Sequence, residues 1–280
     1  MRPIPTVFHI GPLAIHTYGV GLAITFWFAY RYFEHRLKAR DYPIGWVPGL
    51  FFWVIVSAVV GARCMHVISN IGYYSAHPIQ IFAIWHGGLS SFGGLLLAVP
   101  VGLVILKKRG PNLSVARAFD IVAPVLMAAW AMGRLLGPQL MVAGGGHETQ
   151  QWFGMYYAGQ IGRRVPVPII QAMEDGAVLV ILLLIERHLR RSSDSPLRAS
   201  YPAGTVTGIA MILWGIERSL DEHFLLGQDG AVGSALVQIA GIALVLAGGW
   251  LLLNTRRRWT RWRNAGSPSE SVAQESPTKI

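Results

Sequence analysis

The sequence predicts an all-α, polytopic membrane protein with about seven transmembrane helices. Of its 280 residues, 52% are hydrophobic and only 14% are charged, whereas a soluble domain carries about a quarter charged residues. The apolar residues fall in runs of about 16–25, long enough for a helix to cross a hydrocarbon core about 30 Å thick. The breaks between these runs are rich in Gly, Pro, Asn and Ser, which interrupt helices. These observations exclude a water-soluble single domain.

The apolar runs place the spans in order along the chain. We expect one membrane domain over residues 1–263, followed by a polar, disordered tail over residues 264–280. Residues 137–167 form the longest connection, and its aromatic residues suit a segment at the membrane interface. We interpret it as an extracytoplasmic cap, although an inert loop explains its composition equally well. The seven spans are expected near residues 17–32, 47–69, 88–106, 118–136, 168–186, 203–219 and 231–253.

Basic residues concentrate on alternate connections between the spans, and this alternation predicts the orientation. The net charge is +10, and most Lys and Arg residues follow the first, third, fifth and seventh spans. The opposite connections hold only Arg2, Arg163 and Arg164. Because basic loops stay in the cytoplasm, we expect an extracytoplasmic amino terminus and a cytoplasmic carboxy terminus. The lipid bilayer is the expected surrounding partner, and no basic, aromatic-interleaved domain suits a nucleic acid.

Three arginines lie within or at the ends of the predicted spans. Arg63 lies in the outer half of the second span, Arg134 near the outer end of the fourth, and Arg218 at the outer end of the sixth. An arginine in a span costs at least about 2.5–3.5 kcal/mol on insertion scales, so it usually faces a partner or a wet cavity. Their common depth favours a pocket for an anionic ligand. The alternative is that each pairs locally, as Arg218 could with an acidic residue of its own helix.

A rim rich in aromatic residues and glycines accompanies these arginines at the same level. Tyr18 opens the first span in HTYGVG, and residues 85–94 read WHGGLSSFGG. Glycine pairs let backbones approach closely or leave backbone amides free to face a ligand. We therefore interpret Ser90, Gly93 and Gly94 as lining a cavity, with simple helix packing as the alternative.

The sequence contains few residues of a recognisable catalytic type. It has no HExxH, P-loop or GxSxG motif, and its one cysteine, Cys64, excludes a cysteine-based metal cluster and is expected to be a buried thiol. No acidic cluster inside the spans suggests a proton or sodium path, and no inverted repeat is visible, which argues against a small-solute transporter. The titratable residues near the outer rim are His86, His147 and Glu148.

Several segments, in their order along the chain, resemble the bacterial prolipoprotein diacylglyceryl transferases. Each motif is weak alone, whereas the ordered set is specific and covers nearly the whole chain. The family's seven spans and outside amino terminus agree with the orientation expected from the basic residues. The segments are TYGVGLAI, GARCMHVI, WHGGLSSFGGLLLA, AMGRLLG, WFGMYY, PVPIIQAMEDG and WGIERSLDE.

This resemblance implies an enzyme of lipoprotein maturation in the bacterial cytoplasmic (inner) membrane, with its active face outside the cytoplasm. It implies transfer of a diacylglyceryl group from phosphatidylglycerol to the lipobox cysteine thiol of a preprolipoprotein signal peptide. A thioether forms and glycerol phosphate leaves. No metal and no cofactor are expected. Arginine suits such a site because guanidinium binds phosphate oxygens in pairs.

Matched residue by residue, the resemblance implies roles for several positions. Arg134 in GRLLG matches the family's signature arginine, and Arg218 in WGIER matches the second lipid-phosphate arginine. Both are expected to be catalytic, together with Tyr18, while His86 or the region 144–148 supplies the base. The residues expected to bind substrate are Arg134, Arg218, Arg63, Gly93, Gly94 and Ser90.

The chain departs from the family pattern at several polar positions. Phe92 stands where the family often has a histidine, and Pro138 lies where polar partners of the signature arginine are expected. Ile170 and Gln171 replace an expected Tyr-Glu pair, and Leu225 stands at the place of a further arginine. Two interpretations follow: a divergent but active transferase, or a phospholipid-binding membrane paralogue with lost or altered transfer activity.

Overall fold

The structure, a computed structural model, describes residues 7–10, 13–82, 90–110, 113–137, 140–142, 144–191, 201–224 and 231–264. Within these ranges the chain is predominantly helical. A hairpin of β1 (Val7–Ile10) and β2 (Leu13–His16) comes first, and a 3-10 helix covers Pro78–Phe82. The α-helices are α1 (Thr17–Lys38), α2 (Val47–Ser69), α3 (Ile71–Ala76), α4 (Ser91–Arg109), α5 (Val115–Leu136), α6 (Val167–Arg191), α7 (Thr205–Phe224) and α8 (Ala231–Asn264).

Four helical stretches among the described residues are long and apolar enough to cross a membrane. They are Val47–Ser69, Val115–Leu136, Val167–Arg190 and Val237–Arg257. Large apolar side chains are exposed along them, as in Phe52 (60%) and Leu246 (67%), which a lipid environment accommodates and water does not. The prediction of a helical membrane protein is confirmed, while the count of seven spans and the orientation stay predictions.

The ends of the elements differ in places from the predicted spans. Helix α2 has the bounds predicted for the second span, whereas α8 continues to Asn264 instead of ending near 253. The hairpin, in which Val7 pairs with His16, is absent from the predicted elements. Cys64 is exposed on α2, so the prediction of a buried thiol is wrong. The predicted disordered tail lies, from residue 265 onward, outside the described residues.

The chain forms two compact units. One is Glu34–Val115, and the other combines Met1–Phe33 with Ala116–Ile280. The single membrane domain predicted for residues 1–263 stays a prediction.

In the unit Glu34–Val115, α2 and α4 pack backbone against backbone. A Cβ atom at Gly61 would overlap the carbonyl oxygen of Gly93, and one at Gly93 would overlap that of Gly61. Gly94 also lies against α2, and the amide of Ser90 donates to the carbonyl of Ala62 at 3.0 Å. Helix packing therefore accounts for Gly93 and Gly94, and the predicted contacts of this segment with substrate stay predictions.

In the other unit, α5, α6 and α7 share one apolar core. Asp120 of α5 fixes the start of α7, because its carboxylate accepts hydrogen bonds from the backbone amides of Gly204 (2.8 Å) and Thr207 (2.9 Å). The three helices therefore run side by side, and their far ends carry the polar residues of the candidate site. The buried core residues are Ala123, Met127, Val178, Leu182, Tyr201, Val206 and Ala210.

Candidate active site

A hydrogen-bonded network of charged and amide side chains joins α5, α6 and α7. Arg134 lies in the last turn of α5, Gln171 and Asp175 lie one turn apart on α6, and Arg218 and Asp221 lie three residues apart on α7. Residues three or four apart share one face of a helix, so each helix directs its polar side chains to the same region. These five residues are called the central network.

Arg134 is held at two points of the central network. Its Nε donates to Oδ2 of Asp175 at 3.0 Å, and its Nη1 donates to Oε1 of Gln171. The Nε2 of Gln171 donates to Oδ2 of Asp221 at 2.6 Å, and Nη1 of Arg218 lies 3.4 Å from that same oxygen. The two arginines are therefore connected through one amide and one carboxylate.

Burial differs between the two arginines. Asp175 and Asp221 expose 0% and 1% of their surface. The side chain of Arg134 is 8% exposed, whereas that of Arg218 is 19% exposed. Buried charges persist only when they are paired and hydrogen-bonded, and removing one partner costs about 3–5 kcal/mol. The Arg134–Asp175 pair therefore fixes α5 against α6, and Arg218 is the more accessible guanidinium for a ligand.

Two further carboxylates lie beside Asp221. Glu174, Glu217 and Asp221 each place one carboxylate oxygen within 4.8 Å of the other two, and these three residues are called the acidic cluster. Within the described part of the chain, no hydrogen-bond donor reaches either oxygen of Glu217, which is buried. The sequence alone does not single out this cluster, and the prediction that no acidic cluster forms a proton or sodium path stays a prediction.

The signal for the acidic cluster is present in the sequence but divided between two segments. Glu217 and Asp221 are one turn apart in WGIERSLDE, and Glu174 lies in PVPIIQAMEDG. Each residue alone is typical of a helix end near a membrane surface. Only the packing of α6 against α7 brings them together.

The structure brings the two predicted phosphate-binding arginines, Arg134 and Arg218, into one network. The alternative of a local partner also applies, because Asp221 on the same helix pairs with Arg218. Contact of either guanidinium with a lipid phosphate stays a prediction.

Arg63 lies in the unit Glu34–Val115, where its guanidinium binds backbone carbonyls. Its Nε donates to the oxygen of Ile81 at 2.8 Å, and its Nη2 donates to the oxygen of Gln80. The guanidinium also lies over the ring of Tyr74, 5.3 Å from the centroid, a cation–π distance. These contacts tie α2 to the 3-10 helix. Substrate binding by Arg63 stays a prediction.

The two remaining predicted catalytic residues are Tyr18 and His86. Tyr18 lies in the first turn of α1 with its backbone alone described, and His86 lies outside the described residues. Gly21, three residues after Tyr18, packs so closely that a Cβ atom would overlap the carbonyl oxygen of Leu136. The start of α1 therefore lies against the end of α5, which carries Arg134.

Residues 144–166, predicted as part of the cap, form a folded segment between α5 and α6. The side-chain amide of Gln160 accepts from the backbone amide of Gly145 at 2.8 Å and donates to its carbonyl at 2.9 Å. Tyr157 exposes only 2% of its surface, and this burial raises the pKa of its hydroxyl to about 12. The segment is thus an ordered element with its own buried residue, and its role as a cap over a cavity stays a prediction.

The fold and the site define a helical, multi-pass membrane protein in which a buried arginine–carboxylate network joins three packed helices. The model of the family described as prolipoprotein diacylglyceryl transferase matches residues 5–254. The chain belongs to this family. The match confirms the family predicted from the motifs, together with the transferase class of the predicted activity.

Relatives with the name phosphatidylglycerol–prolipoprotein diacylglyceryl transferase resemble the chain over much of its length. One from Bacillus velezensis is 32% identical over 206 residues, 68% of this chain and 73% of the relative. Another, from Mesorhizobium japonicum, is 29% identical over 268 residues, 90% of both chains. A third, from Bacillus licheniformis, is 39% identical over 134 residues, 46% of this chain and 47% of the relative, so that match spans about half of either protein.

Proposed function

We propose that this chain transfers a diacylglyceryl group from phosphatidylglycerol to the lipobox cysteine thiol of a prolipoprotein. The observation that carries the proposal is the connection of Arg134 to Arg218 through Gln171 and Asp221. Two permanent positive charges on neighbouring helices suit a phosphodiester, whose oxygens match the fork of guanidinium. The relatives named for this reaction support the choice of donor and acceptor.

The reaction increases the negative charge on the lipid phosphate. The thiolate sulfur attacks the glyceryl carbon, a C–S bond forms, and the C–O bond to the phosphate breaks with its electron pair staying on the phosphate oxygen. The phosphodiester carries one negative charge, whereas the departing glycerol phosphate carries up to two. A cation fixed beside that oxygen therefore stabilises the transition state more than the bound lipid.

The two arginines divide this task. Arg218, the more exposed guanidinium, is assigned to the phosphate oxygen that gains charge. Arg134 is assigned to the same phosphodiester, with Asp175 and Gln171 holding its fork in place. A guanidinium group that is already held in position when the lipid binds needs no reorganisation during the reaction.

The thiol must lose its proton for the attack to proceed. His86 is assigned as the base, and Tyr18 is assigned as a further catalytic residue. Arg63 is assigned to substrate binding. The glycine-rich start of α4 is assigned likewise, through Ser90, Gly93 and Gly94.

The proposal places the reaction at the outer face of the bacterial inner membrane. Seven spans with an extracytoplasmic amino terminus direct the ends of α5 and α7 outward, and the alternation of basic residues supports this orientation. Both proposed substrates, a phospholipid and a signal peptide, can enter from the bilayer. No metal or cofactor is required for the transfer.

A turnover assay tests the proposal. Purified full-length protein is reconstituted with phosphatidylglycerol vesicles and a synthetic lipobox peptide, with a Cys-to-Ser peptide as the matched control. We expect release of glycerol phosphate and a mass gain of one diacylglyceryl group on the cysteine peptide alone. Bound phosphatidylglycerol without release of glycerol phosphate would favour the non-catalytic paralogue instead.

A further inference from the structure

The acidic cluster lies beside the central network, and the transfer reaction does not account for it. Glu217 and Asp221 lie one turn apart on α7, and Glu174 approaches them from α6. We infer that Glu174, Glu217 and Asp221 form a binding site for a hard divalent cation, Mg²⁺ or Ca²⁺. This inference goes beyond the proposed transfer and does not depend on it.

The oxygens of the cluster need a positive partner. Both oxygens of Glu217, Oε2 of Glu174 and Oδ1 of Asp221 are buried without a hydrogen-bond partner among the described residues. Glu217 exposes only 7% of its surface and directs one carboxylate oxygen toward those of Glu174 and Asp221. A buried acceptor left unsatisfied costs about 1–3 kcal/mol, and more when it is charged. A cation among these oxygens removes that cost for all three side chains at once.

The charge of the surrounding residues leads to the same conclusion. The acidic cluster and Asp175 together supply four carboxylates, whereas Arg134 and Arg218 supply two guanidinium groups. The excess of two negative charges equals the charge of one divalent ion. Asp175 and Asp221 each direct Oδ2 to an arginine, while Oδ1 of each has no partner among the described residues.

The spacing of the oxygens fits such an ion. Calcium binds oxygen at about 2.3–2.6 Å, so two oxygens on opposite sides of it are about 4.6–5.2 Å apart, against a limit of 4.8 Å in the cluster. Magnesium, with oxygens at about 2.0–2.1 Å, requires a contraction of roughly 0.6–0.8 Å from that limit. It is commonly held by one or two carboxylates together with water and the phosphate oxygens of a substrate. Carboxylate oxygens are ligands that suit hard ions such as Mg²⁺, Ca²⁺ and Mn²⁺.

Manganese titration of the purified full-length protein tests the site. The protein is treated with EDTA, dialysed and titrated with Mn²⁺, whose electron paramagnetic resonance signal reports the free ion. We expect saturable binding of about one Mn²⁺ per chain that Mg²⁺ or Ca²⁺ displaces. Glu217→Gln and Asp221→Asn should each weaken binding about tenfold or more. Glu222→Gln, a change of the same kind beside the cluster on α7, should leave the affinity unchanged.

Two results would overturn the inference. Wild-type protein without saturable Mn²⁺ binding would mean that protons neutralise the cluster. Equal affinity in the cluster variants and in Glu222→Gln would place the ion elsewhere. Glu174→Gln, at a half-buried position, gives the answer if Asp221→Asn does not fold. Turnover is measured on the same samples: activity without Mn²⁺ binding contradicts only the cation site, and Mn²⁺ binding without activity contradicts only the proposed transfer.

Discussion

The Nε2 of Gln171 donates a 2.6 Å hydrogen bond to Oδ2 of Asp221. Because Oε1 of the same amide accepts from Arg134, Gln171 connects the guanidinium of α5 to the carboxylate of α7. An amide can do this since it donates and accepts at once, whereas an ionised glutamate only accepts. The family pattern predicts a glutamate at this position. In this protein the residue is Gln171, and the neighbouring helix α7 supplies Asp221 as the acceptor for its side-chain N–H.

The polarity of this hydrogen bond gives a testable prediction. Gln171→Glu places a carboxylate against Asp221 and should lower the free energy of unfolding by about 1–3 kcal/mol. Adding Asp221→Asn exchanges donor and acceptor and should restore at least half of the loss, as measured by thermal unfolding in detergent. Additive losses in the double variant would show that the two side chains are not coupled.

Because Asp120 caps α7 far from the candidate site, its removal should lower stability without lowering transfer activity. Asp120→Ala removes three hydrogen bonds from Gly204 and Thr207 and the ion pair with buried Arg117. It should lower the free energy of unfolding by about 3–5 kcal/mol. Fourteen residues of helix, about 21 Å, separate it from Arg134, so turnover per folded molecule should not change. Asp120→Asn, which keeps one acceptor oxygen, should lower the free energy of unfolding by less. A fall in turnover per folded molecule of Asp120→Ala would contradict the separation of the cap from the site.

Alanine substitutions at two adjacent glycines of α8 form a matched pair that tests the packing of α7 against α8. A Cβ atom at Gly248 would lie 2.6 Å from the carbonyl oxygen of Gly208, while one at Gly249 would meet nothing within 4 Å. Gly248→Ala should therefore lower the free energy of unfolding by about 1–3 kcal/mol through overpacking. Gly249→Ala should be neutral or raise it by up to about 1 kcal/mol, because alanine favours the helix. Equal unfolding midpoints for the two variants would contradict the packing of α7 against α8.

The assignment of His86 as the base predicts a particular pH dependence. His86→Ala should lower the transfer rate most near neutral pH, where a free thiol with a pKa of about 8.5 is mostly protonated. Higher pH ionises the thiol without a base and should restore part of the rate. Initial rates across the pH range check this, and a loss that is the same at every pH would exclude His86 from that role.

The sequence predicts the apolar elements of the fold better than its polar connections. The bounds of α2 follow directly from its apolar run, because composition alone decides where a helix can meet lipid. Helix α8 continues past its apolar part to Asn264, and hydropathy gives no signal for a helix that continues into a polar segment. The two strands of the hairpin have four residues each, too few to show alternation.

The candidate site could be predicted only in part for a related reason. Arg134 and Arg218 are conspicuous because arginine is rare in a span. Asp175, the partner of Arg134, lies on a different helix. Asp221, the partner of Arg218, lies in a segment with several acidic residues. No local sequence pattern therefore identifies either pair. Glu217 becomes unusual only when folding buries it, and a sequence does not report burial of a single side chain at a helix end.

The central claim is that Arg218, held in one network with Arg134, stabilises charge on a lipid phosphate. Lipidation of a reporter lipoprotein, in cells depleted of their own transferase, tests it most directly. Arg218→Ala should abolish lipidation and Arg218→Lys should restore little, because a point charge does not reproduce the guanidinium fork. Arg256→Ala, at an exposed position of α8, should support normal lipidation. Near-normal lipidation by Arg134→Ala and Arg218→Ala proteins, present in the membrane at normal levels, would contradict the account.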